Sequence, residues 1–289
     1  WLASNAARGY VSYDAEADKF SLTPEQASVF ARESEPTCIQ GLIQGVVGQF
    51  VKEDVAIDVF KTGRGRPWGE HHECCFCGTE RFFRPAYAGH LLDEWIPALD
   101  GVEDKLKLGA KVADIGCGLG TSSILMAEQF PNSTIHAFDF HGPSIEEAKK
   151  RANEKGLTNL EFFVSDAGEI PKNDYDLACI FDAWHDMGDP VGIAASIKET
   201  LSKDGTFMVV EPMALDGYAN NIANNPASAM MYGFGTLVCV PASKAQSVGL
   251  GLGPQAGPSK LMELLSEAGF GNVNLAAETT NNLVLQARG

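Results

Sequence analysis

The chain has 289 residues, 45% of them hydrophobic and 21% charged, with a formal net charge of −16. That length builds one large domain, or one with a small companion, around a core that needs no disulfides. The acidity argues against nucleic acid and anionic membrane surfaces as partners, because phosphate groups are gripped by clustered Lys and Arg, and no run of eighteen apolar residues is present to span a bilayer.

Trp1–Arg8 has a helical pattern, and Gly9–Tyr13 and Lys19–Leu22 alternate around Asp14–Asp18 as a hairpin does. Thr23 then caps a helix that has Pro24 at its first position. Helix, hairpin and helix resemble the second half of a winged helix. Only Arg8 and Lys19 are basic among the first thirty residues, so a dimerisation or lid module is expected rather than a DNA-binding one. The chain opens at Trp1 without Met, and a further segment is expected upstream.

Cys38–Phe50 and Ala56–Phe60 read as apolar helices, Thr62–Gly69 as a glycine-rich loop and Tyr87–Leu99 as a helix leading into the main domain. Between them, His71-His72-Glu73-Cys74-Cys75-Phe76-Cys77 is expected to be a partly exposed loop. It is rich in soft ligands, but no second Cys pair completes a zinc framework, so no metal is assigned. The seven cysteines are odd in number and sit in apolar contexts. With no visible signal peptide, they fit a reducing compartment, and a cytoplasmic location is expected.

From Lys111 onward strands and helices alternate, the mark of a parallel sheet. The strand readings are Lys111–Ile115, Thr134–Asp139, Leu160–Val164, Leu177–Phe181 and Thr206–Glu211, followed by a hairpin-like pair, Val273–Ala277 and Leu283–Ala287. Helices are expected at Thr121–Phe130, Ser144–Lys155, Val191–Leu201 and Lys260–Ala268. Residues 213–258 break the alternation with a stretch rich in Gly, Pro and Asn that also holds Met230, Met231, Tyr232 and Phe234. An ordered insertion after a strand's carboxyl end lies where ligands bind in open sheets, so these four, with Trp184, are expected in a substrate pocket.

The most informative segment is Asp114-x-Gly116-x-Gly118-x-Gly120, at the end of an apolar strand and the start of a helix, with Asp139 closing the next strand. Glycines let the turn approach a ligand closely, and an acid at the neighbouring strand tip is placed for ribose hydroxyls. The third glycine comes one residue too early for a nicotinamide fingerprint, and no Lys follows as in a Walker loop. The segment resembles motif I of the class I S-adenosylmethionine-dependent methyltransferases. The resemblance implies a doubly wound, Rossmann-like α/β sheet of order 3-2-1-4-5-7-6 with strand 7 antiparallel. It also implies S-adenosylmethionine as cofactor, with the methionine end over the glycine loop. Asp114 would then bond the loop or the methionyl ammonium, Asp139 with the adjoining Phe140 the ribose, and Asp166 with Ala167 the adenine amine, while Asp182 would line the cofactor pocket.

His185-Asp186, after a short aromatic run, resembles the His-Asp-Trp segment of plant-type O-methyltransferases, although Met187 stands where that pattern has Trp. The resemblance makes His185 the general base for a hydroxyl of a small-molecule methyl acceptor, and Glu211 a candidate for holding its tautomer. Gly78–Pro85, Phe181–Pro190 and Pro241–Ser243 together resemble a bacterial, mycobacterial-type group that joins a winged-helix amino-terminal domain to a class I domain. On that basis residues 1–85 form a winged-helix-like module, mainly helical, and 86–289 the catalytic domain, and a homodimer is expected because plant-type relatives dimerise through such a module. Phe82, Phe83, Arg84, Tyr87 and His90 are candidate pocket residues. Three alternatives stay open: an amine acceptor, a regulator that only senses S-adenosylmethionine, and a metalloid or thiol methyltransferase using Cys74, Cys75 and Cys77.

Overall fold

Local rules set the first elements of the computed structural model, which describes residues 1–289. Helix α1 (Leu2–Ala7) leads into a hairpin of β1 (Ser12–Asp14) and β2 (Lys19–Ser21). Helix α2 (Pro24–Phe30) opens on a capping box. Thr23 Oγ1 accepts from Gln26 N at 3.2 Å, and Thr23 N donates to Gln26 Oε1 at 2.9 Å. Pro24 takes the first helical position, where its missing N–H leaves no bond unmade.

Helices α3 (Gln40–Val51) and α4 (Glu53–Thr62) follow, and α3 packs on α5 (Glu73–His90). The two backbones meet at glycines: a Cβ on Gly78 would lie 2.8 Å from Gly41 O, and one on Gly48 would lie 2.9 Å from Cys75 N. Here the structure corrects the sequence reading. His71–Cys77 is not a loop, and the helix expected from Tyr87 starts fourteen residues earlier, at Glu73. His72 caps it, its Nδ1 accepting from Cys74 N at 3.2 Å. The run of soft side chains is therefore a helix's first turn. The helix passes without a break through position 85 and widens into a π turn at Leu91–Trp95, whose Leu91 and Trp95 are fully buried.

After α6 (Val102–Leu108) comes the main sheet: β3 (Lys111–Ile115), β4 (Thr134–Asp139), β5 (Leu160–Val164), β6 (Tyr175–Phe181), β7 (Leu201–Pro212), β8 (Asn272–Glu278) and β9 (Asn282–Arg288). The order is β5-β4-β3-β6-β7-β9-β8, parallel through β7, with β9 antiparallel to both its neighbours. Counted from β3, this is 3-2-1-4-5-7-6 with the seventh strand antiparallel, as expected.

The sheet is buried on both faces, which is why its central strands read as continuous apolar runs. On one face Val112, Leu177 and Met208 pack with Trp95, Ile124 and Met126. On the other, Ala113, Ile180 and Val209 pack with Ile197, Leu261 and Leu265. The covering helices are α7 (Thr121–Gln129), α8 (Gly142–Glu154) and α9 (Pro190–Lys198). The insertion is ordered as α10 (Tyr218–Asn224), α11 (Ser228–Phe234), a π turn at Gly235–Cys239 and α12 (Val240–Lys244), before α13 (Pro258–Glu267) returns to the sheet. No helix is long and apolar enough to cross a membrane.

Candidate active site

The turn after β3 needs three left-handed residues, and the sequence supplies glycine at each: φ is 71° at Gly116, 53° at Gly118 and 78° at Gly120. Gly120 is also a packing requirement, since a Cβ there would lie 2.9 Å from the Phe162 ring. Asp114 is fully buried, and its Oδ2 accepts from Ser122 Oγ at 2.6 Å and Ser123 Oγ at 2.5 Å. It thus pins the first turn of α7 to the strand end. Burial pushes its pKa up to about 6, against the lowering effect of the two hydroxyls. Asp139 grips the turn from the next strand. Its Oδ2 accepts from Gly118 N at 2.9 Å, and its Oδ1 from His141 N at 2.7 Å. Burial raises its pKa, and the backbone donors oppose this.

Over this turn lies a cavity of about 200 Å³. Of the expected cofactor residues, Gly116, Gly118, Asp139, Phe140, Asp166, Ala167 and Asp182 line it. Asp114 and Gly120 do not: one lies behind the turn and the other packs against Phe162. The wall opposite comes from one face of α5, at Phe76, Thr79, Glu80, Phe83 and Tyr87. That spacing is helical, and it was the signal that could have found Phe76, Thr79 and Glu80 in the sequence. Glu80 Oε1 accepts from Thr121 Oγ1 at 2.8 Å, tying α5 to the start of α7. No Lys or Arg lines the cavity, whereas Asp139, Asp166, Asp182 and Glu80 do. A phosphate-bearing nucleotide finds no counter-charge there, and a cationic ligand with hydroxyls to donate finds several acceptors.

The turn after β6 carries the second cluster. Asp182 sits at φ 49°, a left-handed position rarely taken by a residue with a side chain. Tyr87 Oη donates to its Oδ2 at 2.8 Å, and Asn282 Nδ2 to its Oδ1 at 2.9 Å. Burial, and then the nearby Glu211, push the Asp182 carboxyl well above its ordinary range. Glu211, at the end of the neighbouring strand β7, reaches across to the Trp184–His185 backbone. Its Oε1 accepts from Trp184 N at 3.0 Å and His185 N at 3.2 Å, and its Oε2 pairs closely with His185 Nδ1. The Nε2 edge of the imidazole lies 3.1 Å from Asp186 Oδ1. Burial alone would lower the His185 pKa. The charges of Glu211 and then Asp186 outweigh it, so the imidazole titrates well above its ordinary value.

His185 faces a second, smaller cavity of about 70 Å³, lined also by Met230, Met231 and Phe234 of the insertion and by Phe82 of α5. Trp68, Thr79, Phe83, Asp182 and Asp186 line both cavities, so the two adjoin. Four expected pocket residues lie elsewhere. Trp184 is fully buried, its Nε1 donating to Pro190 O at 2.9 Å, and Tyr232 turns from the cavity to pack against Tyr218. Arg84 pairs with Glu80 at 2.5 Å, and His90 packs on Trp95, so neither reaches a cavity. Cys74, Cys75 and Cys77, on the first turns of α5, do not converge on a common point.

The family described as "Methyltransferase domain" matches residues 106–269. The chain is 30% identical over 172 residues to a sterol 24-C-methyltransferase of Gibberella zeae, covering 58% of this chain and 42% of that protein. It is 32% identical over 108 residues to an aklanonic acid methyltransferase of a Streptomyces species, covering 36% of this chain and 49% of the relative. The chain thus spans less than half the length of these curated relatives. Among solved structures, an O-methyltransferase family protein of Burkholderia thailandensis matches with TM-score 0.71 at 13% identity, over 99% of this chain and 82% of that one. Human N-acetylserotonin methyltransferase, in complex with its methyl donor, matches with TM-score 0.67 at 18% identity, over 99% and 81%. At such identity the likeness concerns the fold, and it takes in the amino-terminal helices as well as the sheet.

Proposed function

The chain belongs to the methyltransferase-domain family, and on that premise we propose that it transfers the methyl group of S-adenosylmethionine to a hydroxyl of a small molecule, with His185 as general base. The observation that carries this reading is the adjacency of two cavities, one over the glycine turn and one facing His185, with Asp182 and Asp186 in the shared wall. The donor fits the larger cavity, because that cavity offers carboxylates and no basic side chain to a ligand that is cationic and carries no phosphate. Gly116 and Gly118 would take the methionine end, Asp139 the ribose, and Phe140, Asp166 and Ala167 the adenine side. The donor supplies an activated methyl group.

The chain's own residues do the rest. The smaller cavity holds the acceptor, excludes water and presents Nε2 to its hydroxyl. Glu211, bonded to Nδ1, fixes the tautomer that leaves Nε2 free and stabilises the imidazolium once the proton arrives. The methyl–sulfur bond breaks as the methyl–oxygen bond forms, and the acceptor's proton ends on Nε2. Calorimetric titration with S-adenosylhomocysteine tests the donor half. Saturable binding is expected, and no heat at about 1 mM, the weak end of ordinary affinities, would overturn it. Asp139→Asn is expected to weaken that binding by about 10- to 100-fold, the worth of about 1.5–3 kcal/mol for hydrogen bonds to a charged group.

Exposed apolar side chains on α3 and α4 support a homodimer. Ile43, Val47 and Phe50 on α3 and Ile57 and Phe60 on α4 are roughly half or more exposed, Phe50 at 74%. A patch of this kind marks an interface more often than a free surface. Size-exclusion chromatography with light scattering should give twice the chain mass, and Phe50→Asp should shift the population towards the single chain. A single-chain mass for the unaltered protein would contradict the dimer.

A further inference from the structure

His185 has a third neighbour that the proposed reaction does not use. Cys239, buried at the end of the Gly235–Cys239 π turn, brings its Sγ within 4.8 Å of an imidazole nitrogen. A ring nitrogen of His185, an Asp186 carboxylate oxygen and Sγ all lie within 4.8 Å of one another, and all three residues line the smaller cavity. Asp186 Oδ1 lies 3.1 Å from Nε2, yet it is buried and makes no aligned hydrogen bond. Two groups this close with no hydrogen bond between them are spaced as ligands are when both address a third atom. Behind the imidazole, Glu211 holds Nδ1, the carboxylate–histidine arrangement that orients a metal-ligating imidazole. Nitrogen, oxygen and sulfur donors at three corners, with the fourth open to a cavity, match zinc sites that keep a free position, where donors about 2.0–2.3 Å from the ion stand about 3.4 Å apart.

We propose that His185, Asp186 and Cys239 form a binding site for a thiophilic divalent cation such as zinc, with its open coordination position towards the acceptor cavity. The set favours zinc over magnesium or calcium, since a thiolate is a soft ligand and those ions prefer oxygen. On binding, the Cys239 thiol gives up its proton to solvent. The site requires neither donor nor acceptor and stands apart from the methyl-transfer reading. Its consequence rests on that reading: a cation on Nε2 occupies the lone pair that would take the acceptor's proton, so cation and turnover exclude each other.

The test uses the full chain, freed of metal by a chelator and then titrated with zinc chloride by calorimetry and cobalt chloride by absorbance. One equivalent should bind, with a thiolate-to-cobalt charge-transfer band. Cys239→Ser should remove that band. Glu211→Gln should keep it while weakening zinc by about 10- to 100-fold, as loss of a ligand's supporting carboxylate does. A double variant, Cys74→Ser with Cys77→Ser, should change neither. Circular dichroism checks each variant's fold, and Asp186→Asn, expected to weaken zinc while keeping the band, replaces Cys239→Ser if that variant unfolds. Absence of binding, a cobalt spectrum without thiolate character, or a band that survives Cys239→Ser and vanishes with the double variant would overturn the site. Failure to bind S-adenosylhomocysteine would leave these metal results unaffected.

Discussion

His185→Ala is expected to lower kcat for methyl transfer by about 10²- to 10⁴-fold, the usual contribution of a positioned general base, while S-adenosylhomocysteine affinity stays within about twofold. The separation follows from position. His185 lines the smaller cavity only, and the carboxylates assigned to the donor lie on the larger one. The deletion removes a buried imidazole and leaves the Glu211 charge in an apolar pocket, so some loss of stability accompanies it. Melting temperature measured beside kcat separates the two effects. His185→Gln, which keeps the volume and a donor towards Glu211 but cannot take a proton at the acceptor, should fold better and remain as inactive. Equal activity in both variants and the unaltered enzyme would reject the base assignment. An amine acceptor, which sheds its proton more easily, would show as a loss of much less than 10²-fold.

The second large effect belongs to Glu211. Its Oε1 holds two backbone N–H groups of the Trp184–Asp186 turn, and its Oε2 holds His185 Nδ1. Glu211→Gln keeps the size but removes the charge, and its amide can offer Nδ1 a donor in place of an acceptor, which favours the wrong tautomer. A change of that kind in a histidine–carboxylate pair costs up to about 10⁴-fold in kcat. The pH profile carries an independent signature. A base works only when unprotonated, and the His185 pKa lies above its ordinary 6.5 because Glu211 and then Asp186 outweigh burial. Activity of the unaltered enzyme should therefore rise with pH through a value above 6.5. Removing the larger of the two raising charges lets burial pull the pKa down, so the acid limb in Glu211→Gln should move to lower pH as the plateau falls. A limb that stays in place, or moves to higher pH, would show that Glu211 does not act through the imidazole.

The sheet was legible because its signals are local. Each parallel strand is an apolar run closed by a turn, and Asp114 to Gly120 fixes where the first strand stops and its helix begins. The hairpin of the last pair was legible in the residues, but the placement of its second strand between the fifth and the sixth came with the family resemblance. Helix α5 was misread for a physical reason. Its first turn is built of His, Glu and Cys, side chains with more obvious chemistry than helix propensity, and its register is held by glycine contacts with α3 that are 27 and 37 residues away. Three residues lining the larger cavity, Phe76, Thr79 and Glu80, were missed with it.

The pocket residues show a similar limit. Met230, Met231 and Phe234 line the smaller cavity while Tyr232 faces away, a division set by the rotation of α11 that composition alone does not reveal. Trp184 stands beside the histidine in sequence and points into the core, because its indole nitrogen has a carbonyl at Pro190 to meet. Cys239 carried no local signal at all. It reaches His185 only because the insertion folds back over the end of the sheet.

The most direct test of the two-cavity arrangement is a crystal structure of the chain grown with S-adenosylhomocysteine. The ribose should lie on Asp139, the adenine beside Asp166, and the sulfur over Gly116 and Gly118, turned to the cavity that His185 faces. A ligand bound elsewhere, or a sulfur turned away from His185 with the glycine turn uncontacted, would contradict the assignment of both donor and base.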